Sequence, residues 1–246
     1  MKVTLAKHGL QPFDNRWPAR FKPAFNSAKS AARFALPAIP RSIAGAVNFL
    51  AHLFLAEPHS ASRVGNLLGD FVTGTPDSLR PRFPAAILAG IVRHRTLDAW
   101  TDAHAGLAKL KAYIDPARRR FAGAIIDVLH DGFLARQWTD YSPLSLRAFL
   151  DQCYSALLQH RGSLPPDLAA DLDDRIAHDW LGHYGSDEGL EDVFARMARR
   201  RPAFAVLRSS LDDLRPHRQA FDEAFAVFFP DAIAKVKALG PELQAL

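Results

Sequence analysis

From residue 47 to the C-terminus, apolar side chains recur at three- and four-residue intervals, and the strict alternation that marks a strand is scarce. That period builds amphipathic helices, which must bury their apolar stripes against one another. With 48% hydrophobic residues in 246, the chain can close a sizeable core. The expected architecture is all-α: seven to nine helices with short connections in an irregular domain, without internal repeats.

Breakers and caps divide the pattern. Helices are expected over residues 47–56, 60–72, 85–103, 116–138, 145–159, 167–184 and 189–199. Further helix starts at Pro202 and again at Pro216, and Pro230 is expected to interrupt the last one. No run of 18 apolar residues exists; the most apolar stretch, Ala44 to Ala56, is short and contains Asn48 and His52, so it reads as a buried helix rather than a membrane span. The single cysteine, Cys153, permits no internal disulfide and no cysteine zinc cluster, which fits the cytoplasm.

Charge separates the two parts of the chain. The net charge is +5, yet residues 1–46 hold eight Lys and Arg against Asp14 alone, while residues 47–246 sum to −2. The basic character therefore belongs to the N-terminal segment, and the nearly neutral body gives no support to nucleic-acid binding. Residues 1–46 carry five prolines and no sustained period, and read as a basic, disordered extension. An organellar-type leader, a start codon assigned too far upstream and a functional arm all remain open for it.

Two helices place polar pairs one turn apart inside apolar surroundings. His94 and Asp98 lie on one face, continued by Asp102; Asp127 and Asp131 repeat the arrangement, with Asp127 between Ile126 and Val128. Asp70 is a third acid in an apolar frame, Gly65-Asn66-Leu67-Leu68-Gly69-Asp70-Phe71. Buried carboxylates need a counter-charge. A divalent cation would serve, and carboxylate oxygens with an imidazole suit Mn, Mg or Fe. Arginine partners would serve equally: Arg93 or Arg95 for Asp98, Arg136 for Asp131. His52 reads as a core histidine, and His104 as a cap or a supporting group near the acids. No glycine-rich phosphate loop, nucleophile elbow or zinc-protease helix is present.

Four ordered blocks resemble the acyl carrier protein phosphodiesterase family. They are Val47-Asn48-Phe49-Leu50-Ala51-His52, Gly65 to Phe71, His94-Arg95-x-x-Asp98 with Thr101-Asp102-x-His104, and Asp127-x-x-x-Asp131-x-Phe133-Leu134-Ala135-Arg136-x-Trp138. Arg200-Arg201-Pro202, Leu207-Arg208 and Phe228-Phe229-Pro230 extend the likeness toward the C-terminus. Val47 stands where that family has its initiator, as a GTG start would be read.

The resemblance implies a distorted, HD-domain-like all-helical fold over residues 47–246 and a divalent metal, typically manganese. It implies hydrolysis of the phosphodiester joining 4′-phosphopantetheine to a serine of holo acyl carrier protein, an acidic protein substrate, in fatty-acid metabolism. Asp70, His94, Asp127 and Asp131 become candidate metal ligands. Asp98 becomes an orienter of His94 or a metal ligand itself, and Arg95 a clamp for the phosphate. Arg80, Arg82, Arg93 and Arg118 to Arg120 become candidate docking residues. Two positions depart from the family pattern: Gly132 stands where it has a histidine, and Gln137 precedes Trp138 where it has His-Trp. A nucleotide or other small phosphodiester as substrate, or a helical binding protein with weakened catalysis, are the alternatives.

Overall fold

In a computed structural model, residues 49–199 and 201–246 are described. The basic extension, residues 1–46, lies outside them, as do Val47, Asn48 and Arg200. Every regular element among the described residues is helical. Seven helices run seven residues or more: α1 Phe49–Leu55, α2 Ser60–Leu68, α3 Ala85–Asp102, α4 Ala122–Arg136, α5 Leu146–Gln159, α6 Asp187–Ala198 and α7 Arg218–Leu239. Single turns and 3-10 segments join them.

Local chemistry sets several of these boundaries. Ser145 and Ser186 cap α5 and α6, their hydroxyls accepting from the amides of Ala148 and Gly189. Asp187 and Glu188 sit favourably in the first turn of α6. The terminus of α1 is capped from elsewhere in the chain, by Asp131 of α4.

α2 and α3 cross backbone to backbone. A Cβ at Gly65 would lie 2.2 Å from the Ile87 carbonyl oxygen, and one at Gly90 2.7 Å from that of Ser62. Two glycines in register thus let the helices touch, and the residues that follow α2 arrive beside the middle of α3. α7 closes the core with Phe221, Phe225, Phe228 and Phe229. Phe229 meets Phe54 and Tyr141, and Phe225 stacks on Phe133. Burying each such ring contributes about 1.5–3 kcal/mol.

Four expectations need correction. The helix expected over 60–72 ends at Leu68, and the one over 116–138 starts only at Ala122. The expected helix over 167–184 is divided into Pro166–Ala170, Leu172–Ala177 and the 3-10 turn Gly182–Gly185. Asp179 breaks it, held at φ +48, where its carboxylate accepts from Tyr154 and Arg147. Pro230, expected to interrupt, lies inside a continuous α7. It removes the bond to the carbonyl of Ala226, but both residues are exposed, so water can take that oxygen while buried rings on either side hold the helix.

His130 supplies a pH test of this core. It is buried against Phe225 and Phe228. Burial, with His104 nearby, pushes its imidazole down to about 3. The unfolded chain titrates near 6.5, so the stability held by neutral His130 is complete above that value and is lost as pH falls toward 3. The expected loss is about 1.4 kcal/mol per pH unit in that window. Urea unfolding of wild type and His130→Leu at pH 6, 5 and 4 checks it. The gap should change at that slope, and parallel curves would contradict it.

Candidate metal centre

The α2–α3 crossing fixes the centre. Asp70, two residues beyond the end of α2, sets its Oδ1 3.1 Å from Nε2 of His94 in α3. One turn on, Asp98 sets Oδ2 3.0 Å from the same nitrogen. The other oxygen of Asp98 stands 2.9 Å from Nε2 of His52 in α1. The His52 and His94 rings stack with centroids 3.8 Å apart. Both histidines are buried, whereas the Asp98 side chain is 41% exposed, so the group opens to solvent through Asp98.

Among the described residues the ring nitrogens of both imidazoles are left without a hydrogen-bond partner, although carboxylate oxygens stand 2.9–3.1 Å from each Nε2. Burial and the neighbouring His94 lower the His52 pKa. Burial also works to lower that of His94, but Asp70 and Asp98 outweigh it and raise His94 to about 10. Asp98 is desolvated, yet the two imidazoles hold it well below the usual carboxylate range.

Asp127, half-buried in α4, has no such partner among the described residues. Burial pushes it far up, and Asp98, Asp70, Asp102 and Asp131 push it the same way. Asp70 and Asp98 thus crowd the two buried imidazoles, with Asp127 near them. One ligand atom each from His52, His94 and Asp98 lies within 4.8 Å of the others. Two buried, orphaned nitrogens and an oxygen around one point, in surplus negative charge, fit a divalent cation.

Other expected site residues have further contacts. Asp131 accepts from the amides of Leu50 and Ala51 at 2.9 and 2.8 Å, which satisfies the start of α1 and so sets the position of His52. Burial raises its pKa, and those two donors oppose the rise. Arg95, expected as a phosphate clamp, donates to the carbonyls of Gly74 and Val72 and ties down the loop that follows Asp70. His104 lies apart, against Trp100, Phe228 and Asp231. Asp102 is exposed at the end of α3. His52, read from sequence as a core histidine, belongs to the group. Its only sequence signal is its place in the first of the four blocks.

Comparison with known proteins bears on what such a centre does. The family model described as acyl carrier protein phosphodiesterase matches residues 47–232. The chain belongs to that family. A Serratia proteamaculans protein named acyl carrier protein phosphodiesterase is 36% identical over 193 residues, covering 78% of this chain and 98% of the relative. Relatives of the same name from Salmonella agona and Yersinia pestis are 35% and 36% identical, covering 77% and 75% of this chain and 97% and 94% of their own lengths. No solved structure matches. The chain is thus a phosphodiesterase-family hydrolase, all-helical throughout its described residues.

The family departures can now be located. A Cβ at Gly132 would meet Leu190 at 3.0 Å and Arg136 at 3.2 Å, not His52 or His94. Gln137 donates to Asp222 of α7. Gly132 thus faces α6 and Gln137 faces α7.

Gly69 is the tightest constraint on the centre. A Cβ there would fall 2.2 Å from Cγ and Cδ2 of His94. Gly69→Ala should push the imidazole out of line and weaken divalent-cation binding by at least ~10-fold, with helical circular dichroism preserved. Unchanged affinity in a calorimetric titration would contradict the placement.

Proposed function

We propose that His52, His94 and Asp98 hold a divalent cation, manganese foremost, at which the chain hydrolyses the phosphodiester between 4′-phosphopantetheine and a serine of holo acyl carrier protein. The observation that carries this reading is the convergence of two orphaned Nε2 atoms and a carboxylate oxygen within 4.8 Å, in a chain of this family. Mixed nitrogen and oxygen donors suit manganese, with magnesium or iron as neighbours in preference.

A cation held there supplies Lewis acidity toward a phosphoryl oxygen and lowers the pKa of a water. The protein's share is positional. Asp70 braces His94, Arg95 steadies the loop carrying Asp70, and Asp131 anchors α1 so that His52 faces His94. Asp127 completes the negative charge around the cation. His94 must give up its proton to become a ligand. The opening at Asp98 admits the scissile group. Water forms the new bond to phosphorus, the bond from phosphorus to the serine oxygen breaks, and that oxygen leaves with a proton. The products are apo acyl carrier protein and 4′-phosphopantetheine.

Arg93 is buried and donates to the Gly240 carbonyl, and Arg118 is paired with Asp213, so neither belongs to a docking surface for the substrate. Among the described residues no helix is long and apolar enough to cross a membrane, and with the lone, buried Cys153 this supports action in the cytoplasm. Intact-mass measurement of holo acyl carrier protein after incubation with the chain and manganese tests the proposal. The mass should fall by one phosphopantetheine, and a chelator should prevent it. An unchanged carrier protein alongside cleavage of a nucleotide phosphodiester would transfer the activity to the small-substrate alternative.

A further inference from the structure

Two arginine-rich, acid-free segments far apart in sequence form one surface. Residues 116–126 hold Arg118, Arg119 and Arg120 and no carboxylate; residues 199–211 hold four more arginines and again none. The structure joins them. Arg120 donates to the carbonyl of Ala203, and Arg118 to that of Val206. Phe121 meets Phe204 edge-on, with centroids 5.2 Å apart. The guanidinium of Arg120 lies over Phe121, and that of Arg201 over Phe204.

The result is a strip of cations laid on two touching rings. Arg119, Arg120, Arg199 and Arg208 are exposed, and among the described residues no carboxylate pairs with any of them. Arg118 is different, its charge already met by Asp213. Residues 47–246 sum to −2, so this concentration of positive charge is local. Like charges held together repel.

Its position suggests the use. Phe121 leads directly into α4, six residues before Asp127, or about 9 Å along the helix. A Cβ at Gly123 would stand 4.0 Å from Oδ1 of Asp102, at the end of α3 that carries His94 and Asp98. The strip therefore lies at the end of the α3–α4 pair nearer to Asp98 and Asp127.

We infer that the strip from Arg119 and Arg120 across Phe121 and Phe204 to Arg201 docks the acidic face of a carrier-protein substrate while its phosphodiester enters beside Asp98. This rests on the proposed activity and adds a recognition surface to it. Charge complementarity of this kind acts chiefly on encounter and is weakened by salt.

The test uses the full chain with manganese and the double variant Arg120→Glu/Arg201→Glu. KM for holo acyl carrier protein at low salt should rise at least ~10-fold with kcat little changed, and the gap should close as salt is added. Hydrolysis of bis(4-nitrophenyl) phosphate, which needs no docking, should match wild type. Should reversal damage the fold, Arg120→Gln/Arg201→Gln should show the same pattern more weakly. Binding of apo acyl carrier protein, which has no scissile bond, should weaken in parallel by fluorescence anisotropy. An unchanged KM and unchanged apo-protein binding at low salt would overturn the inference. So would a strip that binds duplex DNA, and loses it in the variant, while the carrier-protein KM stays put. Failure of wild type to release phosphopantetheine while the anisotropy result holds would count against the proposed reaction and not against the docking surface.

Discussion

Asp127→Asn should lower phosphodiesterase turnover by at least ~10³-fold while leaving the melting temperature at or above that of wild type. The two halves of this result follow from one electrostatic fact. Burial raises the Asp127 carboxyl well above its ordinary range, and Asp98, Asp70, Asp102 and Asp131 push it the same way, so without a cation it is driven toward the neutral form. Asparagine has nearly the shape and the charge of that neutral acid, and the fold loses little. With a divalent cation in the centre the balance reverses, because the cation is held partly by the negative charge Asp127 then carries. A neutral amide cannot supply it. Removing one preorganised charge from a site of this kind typically costs about 10²–10³ in rate, and weakened metal occupancy adds to that. Turnover and thermal melting of the same preparation check both halves. Retained manganese-dependent turnover would count against Asp127, and a collapsed melting temperature would show that its role is structural.

Gly65→Ala should be strongly destabilising. The added carbon would lie 2.2 Å from the Ile87 carbonyl oxygen and 2.8 Å from the Gly90 Cα. Both are backbone atoms of α3, so no side chain can swing aside and the helices must part. Overpacking costs typically about 1–3 kcal/mol and more where backbone must move. A loss of about 3 kcal/mol corresponds to a fall of roughly 6–12 °C in Tm for a domain of this size. Alanine at Gly162, where nothing lies within 4 Å, is the control and should stay within about 0.5 kcal/mol of wild type. Because the crossing also sets Asp70 beside His94, the Gly65 variant should lose manganese affinity as well. Melting of the two variants with and without manganese separates the effects, and equal melting temperatures would contradict the account of the crossing.

Much of the centre was legible in the sequence because its chemistry is written at helical spacing. His94 with Asp98, and Asp127 with Asp131, are i, i+4 pairs in apolar frames, and the structure sets the acids of both close together with Asp70. What could not be read was which groups face which. His52 sits among apolar residues as a core histidine would, and its partner His94 reaches it only through the packing of α1 against α2 and α4. The roles of Asp131 and Arg95 are equally non-local: one satisfies the free amides of another helix, the other takes two carbonyls of a loop. Helix ends failed for the same reason. α2 stops at Leu68 where Gly69 makes room for the His94 ring, and the expected helix over 167–184 breaks where Asp179 is drawn to Tyr154 and Arg147. At Pro230 a general rule yielded to context, since the freed carbonyl faces water.

The central claim is that His52, His94 and Asp98 share one ion. Anomalous diffraction at the manganese edge from crystals grown with manganese addresses it directly. The account predicts a single strong peak within bonding distance of both Nε2 atoms and an Asp98 oxygen. A peak seated elsewhere, or its absence in crystals of protein that still removes phosphopantetheine, would contradict it.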